Sequence, residues 1–165
     1  MTAYSPGVLE RLMGQESPPP GRSGLEQLKD SVARDLEALL NTRLGVAIDA
    51  FDAHPQARAS VLGYGLVDFA AFSLSSSEDR AAICASLKDA IERHEPRLTE
   101  VVAALDADGG GINRLQFTIH ARLRLAGGFE PVDFNAVLQP SSLHYTISKS
   151  TRAPNTKGDR GWTST

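Results

Sequence analysis

Leu115 to Leu125 reads LQFTIHARLRL. Leu115, Phe117, Ile119, Ala121, Leu123 and Leu125 alternate without a break with Gln116, Thr118, His120, Arg122 and Arg124. A period of two sustained over this length is a β-strand with one dry and one wet face, as in an antiparallel sheet covered on one side. The same period continues in both directions. Upstream, Val101, Ala103 and Leu105 alternate with Glu100, Val102 and Ala104, and Asp108 to Gly111 supplies a turn. Downstream, Gly127 and Gly128 turn the chain into the alternating Val132, Phe134, Ala136 and Leu138. Pro140 to Ser142 turn it again, and Leu143, Tyr145 and Ile147 make a last strand.

Further upstream the period becomes helical. Ser23 and Glu26 fit a capping box, and Leu25, Leu28, Val32, Leu36, Leu39 and Leu40 then share one face, with Asp30 and Arg34 on the other. This predicts a helix over about residues 24–42. Ser75 and Glu78 fit a second capping box ahead of Ile83, Leu87 and Ile91, flanked by Cys84 and Ala90. That helix must stop near His94 or Glu95, because Pro96 disfavours helical backbone in the residue before it. Between the two, Val46, Ile48 and Ala50 alternate weakly, residues 57–62 read as a short helix, and GYGLVDF (Gly63 to Phe69) as a loop with anchored apolar groups. Helices first and a meander after them predict an α+β sandwich with the helices on one face.

The chain has 165 residues and a formal charge of −3. That length predicts one main domain, residues 25–148. Residues 1–24 precede it as a short apolar helix (Val8, Leu9, Leu12, Met13) on a proline-rich linker, and residues 149–165 follow as a basic tail. The tail carries +3, so the rest carries −6. One cysteine, Cys84, excludes an internal disulfide framework and a multi-cysteine zinc site. No apolar run approaches the roughly 20 residues that span a bilayer, and Met1 to Gly14 has no signal-peptide core. The expectation is a soluble cytosolic protein that does not bind nucleic acid.

The candidate chemistry is sparse. His54, His94, His120 and His144 lack metal-ligand spacing. Asp106, Asp108 and Gly111 imitate the start of a calcium loop, but Phe117 stands where the closing glutamate belongs. Phosphate-loop, dinucleotide and nucleophile-elbow signatures are absent from the sequence. Cys84 lies among apolar neighbours and reads as a core residue. Glu92 and Glu95 could be paired as glycosidase carboxylates, but Arg93 and Arg97 beside them would lower the pKa that a general acid needs raised. No cofactor is expected. What remains is Glu95-Pro96-Arg97-Leu98, where Pro96 fixes an extended exit and puts Glu95 and Arg97 on one side. It reads either as an internal ion pair or as a paired recognition point for a partner protein.

Five segments together resemble the TssE family of type VI secretion baseplate subunits, related to the gp25-like phage baseplate wedge proteins once labelled lysozyme-like. They are VLERL (Val8 to Leu12), SVARDLEALLNTR (Ser31 to Arg43), SVLGYGLVDF (Ser60 to Phe69), Ile91 with HEPRL (His94 to Leu98), and LQFTIHARL (Leu115 to Leu123). Two positions depart from the pattern. Val67 stands where the family usually has proline, and His94 where it usually has phenylalanine.

The resemblance implies a structural, non-catalytic part of a six-fold wedge in the bacterial cytoplasm, apposed to the inner membrane. It implies contact with the wedge subunits TssF and TssG through Glu95, Pro96, Arg97 and Leu98, with TssK and the VgrG spike in the same particle. It also implies strand pairing with the sheath proteins TssB and TssC, expected at Val132, Phe134, Ala136, Leu143, Tyr145 and Ile147. Leu9 and Leu12 are expected to dock the N-terminal segment. Direct membrane insertion and nucleic-acid binding are not expected. The competing readings are a muramidase-like hydrolase and a free adaptor with the same fold.

Overall fold

A computed structural model describes residues 24–69, 72–73, 76–106, 115–139, 141–142 and 144–150. The expected Ser23 and Ser75 caps, the turn at 108–111, Leu143, and both terminal segments lie outside these residues.

Helix α1 spans Gly24–Asn41 and buries Ser31, Val32, Leu36, Leu39 and Leu40. The predicted apolar stripe is therefore the buried one, with a serine set into it. Past the helix, Arg43 and Leu66 form an isolated parallel bridge, with Leu44 N donating to Leu66 O at 2.8 Å and Leu66 N to Thr42 O at 2.9 Å. This seats the 63–69 loop against the end of α1. Two glycines make the approach possible. A Cβ on Gly65, whose φ is +120°, would lie 2.7 Å from Thr42 O, and one on Gly63 would lie 2.0 Å from Arg58 O. Between them, residues 48–63 form a 3-10 turn at Ile48–Phe51, the one-turn helix α2 at Pro55–Arg58 and a second 3-10 turn at Val61–Gly63. The expected helix over 57–62 is thus broken in two. Pro55 starts α2 early, and Ser60 ends it by donating to Ala57 O and accepting from Leu62 N.

Helix α3 spans Ser77–His94. Its cap sits one residue beyond the expected one: Ser76 Oγ accepts from Asp79 N, and Asp79 reaches back to accept from Ser73 N at 2.7 Å. Ile83, Leu87, Ala90 and Ile91 are buried. As Pro96 requires, the helix ends at His94 and Glu95 turns out of helical backbone (φ −120°, ψ 80°).

Four strands follow: β1 (Leu98–Asp106), β2 (Leu115–Leu125), β3 (Gly128–Gln139) and β4 (His144–Lys149). They form an antiparallel sheet in the order β1-β2-β3-β4, so the expected α+β architecture with a meander is what the chain adopts. A bulge lies between Thr99 and Val102 of β1, with Glu100 at φ +53°. It lets Leu98 and Val101, three apart, both face the core. The dry face packs Phe117, Ile119, Leu123, Phe134, Ala136 and Tyr145 against both long helices. On the wet face His120 pairs with Asp133 at 2.7 Å, and Arg122 pairs with Glu100 while lying 4.9 Å over the Phe129 ring. Lys149, read in the sequence as the start of the tail, is the last residue of β4, and its ammonium bridges Glu26 and Asp30 of α1 at 2.9 and 2.6 Å.

Candidate interaction surfaces at the helix–strand corner and the sheet edges

The tight exit from α3 into β1 turns Glu95 inward. Its carboxylate is buried and meets Arg97 in a two-pronged pair, Nε to Oε1 at 2.7 Å and Nη2 to Oε2 at 2.5 Å. The Arg97 backbone N–H also donates to Oε1. From the other side α1 contributes Ser31 Oγ, which accepts from Nη1 at 3.3 Å, and the Asp35 carboxylate, which accepts from Nη2. One guanidinium therefore ties α1 to the α3–β1 corner. The Glu95 carboxylate beside it, and then Asp35, hold Arg97 protonated well above its ordinary range.

Both readings of the motif meet here. Glu95 and Arg97 do lie together, as expected, and the pair is internal. Pro96 is exposed and Leu98 is in the core, while about a third of the Arg97 side chain and over half of Asp35 reach solvent. The part of the corner that a partner could touch is Pro96, the outer rim of Arg97 and Asp35. Ser31 and Asp35 were missed in the sequence. The only signal was a serine inside an apolar stripe with an acid one turn further on.

His94 joins this corner to the 63–69 loop. Its Nε2 lies 2.8 Å from Gly63 O, which can only accept, so Nε2 carries the proton. The ring packs edge-on against Tyr64, centroids 5.3 Å apart. Burial is the main force lowering its pKa, opposed by the Gly63 carbonyl and aided by Arg93. Burial also raises the Tyr64 phenol pKa, with smaller contributions from Asp35 and Glu95. Val67, the other departure, lines a groove of about 310 Å³ between α3 and the 44–72 segment.

The sheet edges show what surrounds the strands expected to pair. β3 pairs with β2 along nearly its whole length and with β4 from Phe134 to Gln139, so over that second half both rows of its backbone groups are used within the chain. Its Val132, Phe134 and Ala136 are buried in the core. β4 is an edge strand, but α1 closes it. Tyr145 N donates to Asn41 Oδ1 and Asn41 Nδ2 donates to Tyr145 O, both at 2.8 Å. Ile147 N donates to Glu37 Oε2, also at 2.8 Å. The Asn41 carboxamide thus takes the place of a peptide group in a fifth strand. Tyr145 itself points into the core. Its hydroxyl is buried without a hydrogen-bond partner among the described residues, and burial pushes its pKa up to about 12.

At the other edge, β1, the Leu105 backbone lies beside Cys84 of α3. Burial raises the Cys84 thiol pKa, which suits a packing residue. Among the described residues no group of His, Cys, Asp or Glu has the arrangement of a metal site, and no helix is long and apolar enough to cross a membrane.

A family model for baseplate wedge protein gp25 matches residues 26–127, from the first turn of α1 through the whole of β2. No curated protein and no solved structure matches the chain.

Proposed function

This chain belongs to the baseplate wedge protein gp25 family, and on that ground we propose that it is the TssE-type subunit of a type VI secretion baseplate. The family gives it a structural role alongside other baseplate components. The finer reading is that it joins a wedge with TssF and TssG through the Glu95–Arg97 corner. TssK and the VgrG spike belong to the same particle. Strand pairing with TssB and TssC then seeds the sheath, in the bacterial cytoplasm against the inner membrane. Leu9 and Leu12 supply an apolar docking segment ahead of α1.

The observation that carries this reading is the span of the family match. It takes in both halves of the corner, α1 with Ser31 and Asp35 and the α3–β1 turn with Glu95 and Arg97. The ion pair also weighs against a hydrolase. The Glu95 carboxylate is buried and both its oxygens accept from Arg97, which leaves neither open to a substrate.

The test is co-purification of the tagged chain from its native host, with Arg97→Glu and with Asp35→Arg. Arg97 and Asp35 both take part in the brace, so each variant is compared only once circular dichroism shows that it is folded. Wedge subunits recovered with the parent and lost with folded Asp35→Arg support the role and the corner together. Equal recovery with both refutes the corner assignment. A single partner, or none, in place of a large assembly refutes the baseplate reading and favours the adaptor.

A further inference from the structure

The groove between α3 and the 44–72 segment has apolar walls and charged rims. Phe51, Phe69 and Phe72 line it on one side, and Ala82 and Ala85 of α3 on the other. Both alanines are exposed, and Ile48, which also lines the groove, is 43% exposed. The rims differ in charge. Arg58 belongs to the 44–72 wall, and Asp89 and Arg93 belong to α3. The groove holds about 310 Å³, the volume of about ten waters. That suits apolar side chains projecting at i, i+3 and i+4 from a helix laid along the rims.

One segment of this chain has that pattern. Val8, Leu9, Leu12 and Met13, ahead of the described residues, share one face at helical spacing, and Glu10 and Arg11 fall on opposite flanks of it. With the apolar face in the groove, Glu10 can meet Arg58 on one rim while Arg11 meets Asp89 on the other. The tether is long enough. Residues 14–23 include three consecutive prolines and span about 30 Å in a proline-rich chain. Along α1, Gly24 to Asp35 covers about 17 Å. Asp35 pairs with Arg97, and Arg93 at the groove is four residues before Arg97. The basic C-terminal tail is the poorer occupant. It continues from Ser150, whose N–H donates to Asp133 O on β3. Its Arg152, Lys157 and Arg160 would meet Arg58 and Arg93 as like charges.

We propose that Val8 to Met13 docks within its own chain in the groove between α3 and the 44–72 segment, with Leu9 and Leu12 as the anchors. The inference rests on reading these two leucines as a docking segment and not on the baseplate assignment. A short tether sets an effective concentration on the order of millimolar. A contact too weak to hold the separate peptide therefore still keeps the tethered segment in place, and the groove is closed to other chains while it is there.

The test is methyl NMR of the full chain at two protein concentrations. Nuclear Overhauser contacts are expected from the Leu9 and Leu12 methyl groups to the methyl groups of Ala82 and Ala85, at the same strength in both samples. Leu9→Asp with Leu12→Asp should abolish them. So should Ala85→Glu, which puts a charge in the groove from an exposed helix position and leaves the core intact, as unchanged core methyl shifts would show. Contacts of the leucines with another surface, or with none, overturn the proposal. So do groove contacts that survive Ala85→Glu, and contacts that grow with concentration, which would place the segment in the groove of a second copy. None of these outcomes touches the baseplate reading, which is decided by recovery of wedge subunits.

Discussion

Asn41 and Tyr145 lie 104 residues apart in the chain and exchange two hydrogen bonds of 2.8 Å, side chain to backbone in both directions. The first long helix is thereby joined to the last strand by a group that mimics the strand's missing neighbour. Asn41→Ala should cost about 2–3 kcal/mol, because it orphans one donor and one acceptor on a part-buried strand. Asn41→Asp keeps the acceptor for Tyr145 N–H and should cost about half as much. Urea unfolding of the three proteins checks the order, and an Asn41→Ala loss below about 0.5 kcal/mol would count against the edge closure.

The Glu95–Arg97 pair makes a prediction about non-additivity. Arg97→Met leaves a buried carboxylate without its partner and should destabilise the fold by about 2–4 kcal/mol, discounted from a fully buried pair because Arg97 is partly exposed. Glu95→Leu combined with Arg97→Met should cost less than Arg97→Met alone. A double variant less stable than both singles would show that the pair contributes net stability.

His94 gives a pH dependence with a definite sign. Its folded pKa lies below its unfolded value near 6.5, mainly through burial. The unfolded chain therefore binds the proton first. The contribution is fully present above about pH 6.5 and is lost as the pH falls through the lower, folded value. His94→Phe, the residue usual at this place in the family, should flatten the stability profile below about pH 6.5. Parallel profiles for the two proteins would remove His94 as the source.

Gly65 tests the close approach of the 63–69 loop to α1. Gly65→Ala combines a φ of +120° with a Cβ 2.7 Å from Thr42 O, and should cost about 2 kcal/mol or more. The control is Gly127→Ala, where a Cβ meets nothing within 4 Å. Comparable melting temperatures for the two variants would contradict the loop geometry.

Tyr145→Phe should stabilise the protein. The substitution keeps the buried ring 6.4 Å from Phe117 and deletes a hydroxyl that has no partner among the described residues. A gain of about 0.5–1.5 kcal/mol in calorimetry is expected, and a loss of similar size would mean that the hydroxyl is bonded after all.

The sheet was legible because its period is local. The strict alternation of Leu115 to Leu125 fixes a strand and its dry face with no reference to the rest of the chain. The Pro96 stop was legible for the same reason. The brace and the edge were not, because they depend on residues that topology alone brings together. Ser31 and Arg97 are 66 apart, Glu37 and Ile147 are 110 apart, and Ser31, Arg97 and Glu37 each read alone as an ordinary polar residue on or near a helix face. Alternation could also show that β4 has an outer edge, but not that the first helix would already occupy it. The second cap moved from Ser75 to Ser76 because adjacent serines offer the same hydroxyl, and Asp79 is placed to answer the later one.

Closing the β4 edge with α1 has a consequence for the order in which the protein is made. The helix that seals the sheet leaves the ribosome well before the strand it seals. A nascent chain that has emerged only as far as Gln139 has neither partner for the outer edge of β3, while Asn41 and Glu37 await backbone groups not yet released. For that interval the strand carrying Val132, Phe134 and Ala136 is open to pairing with a neighbouring chain. The last few residues of the domain end that exposure, so a chain truncated just short of β4 should be hazardous out of proportion to what it lacks.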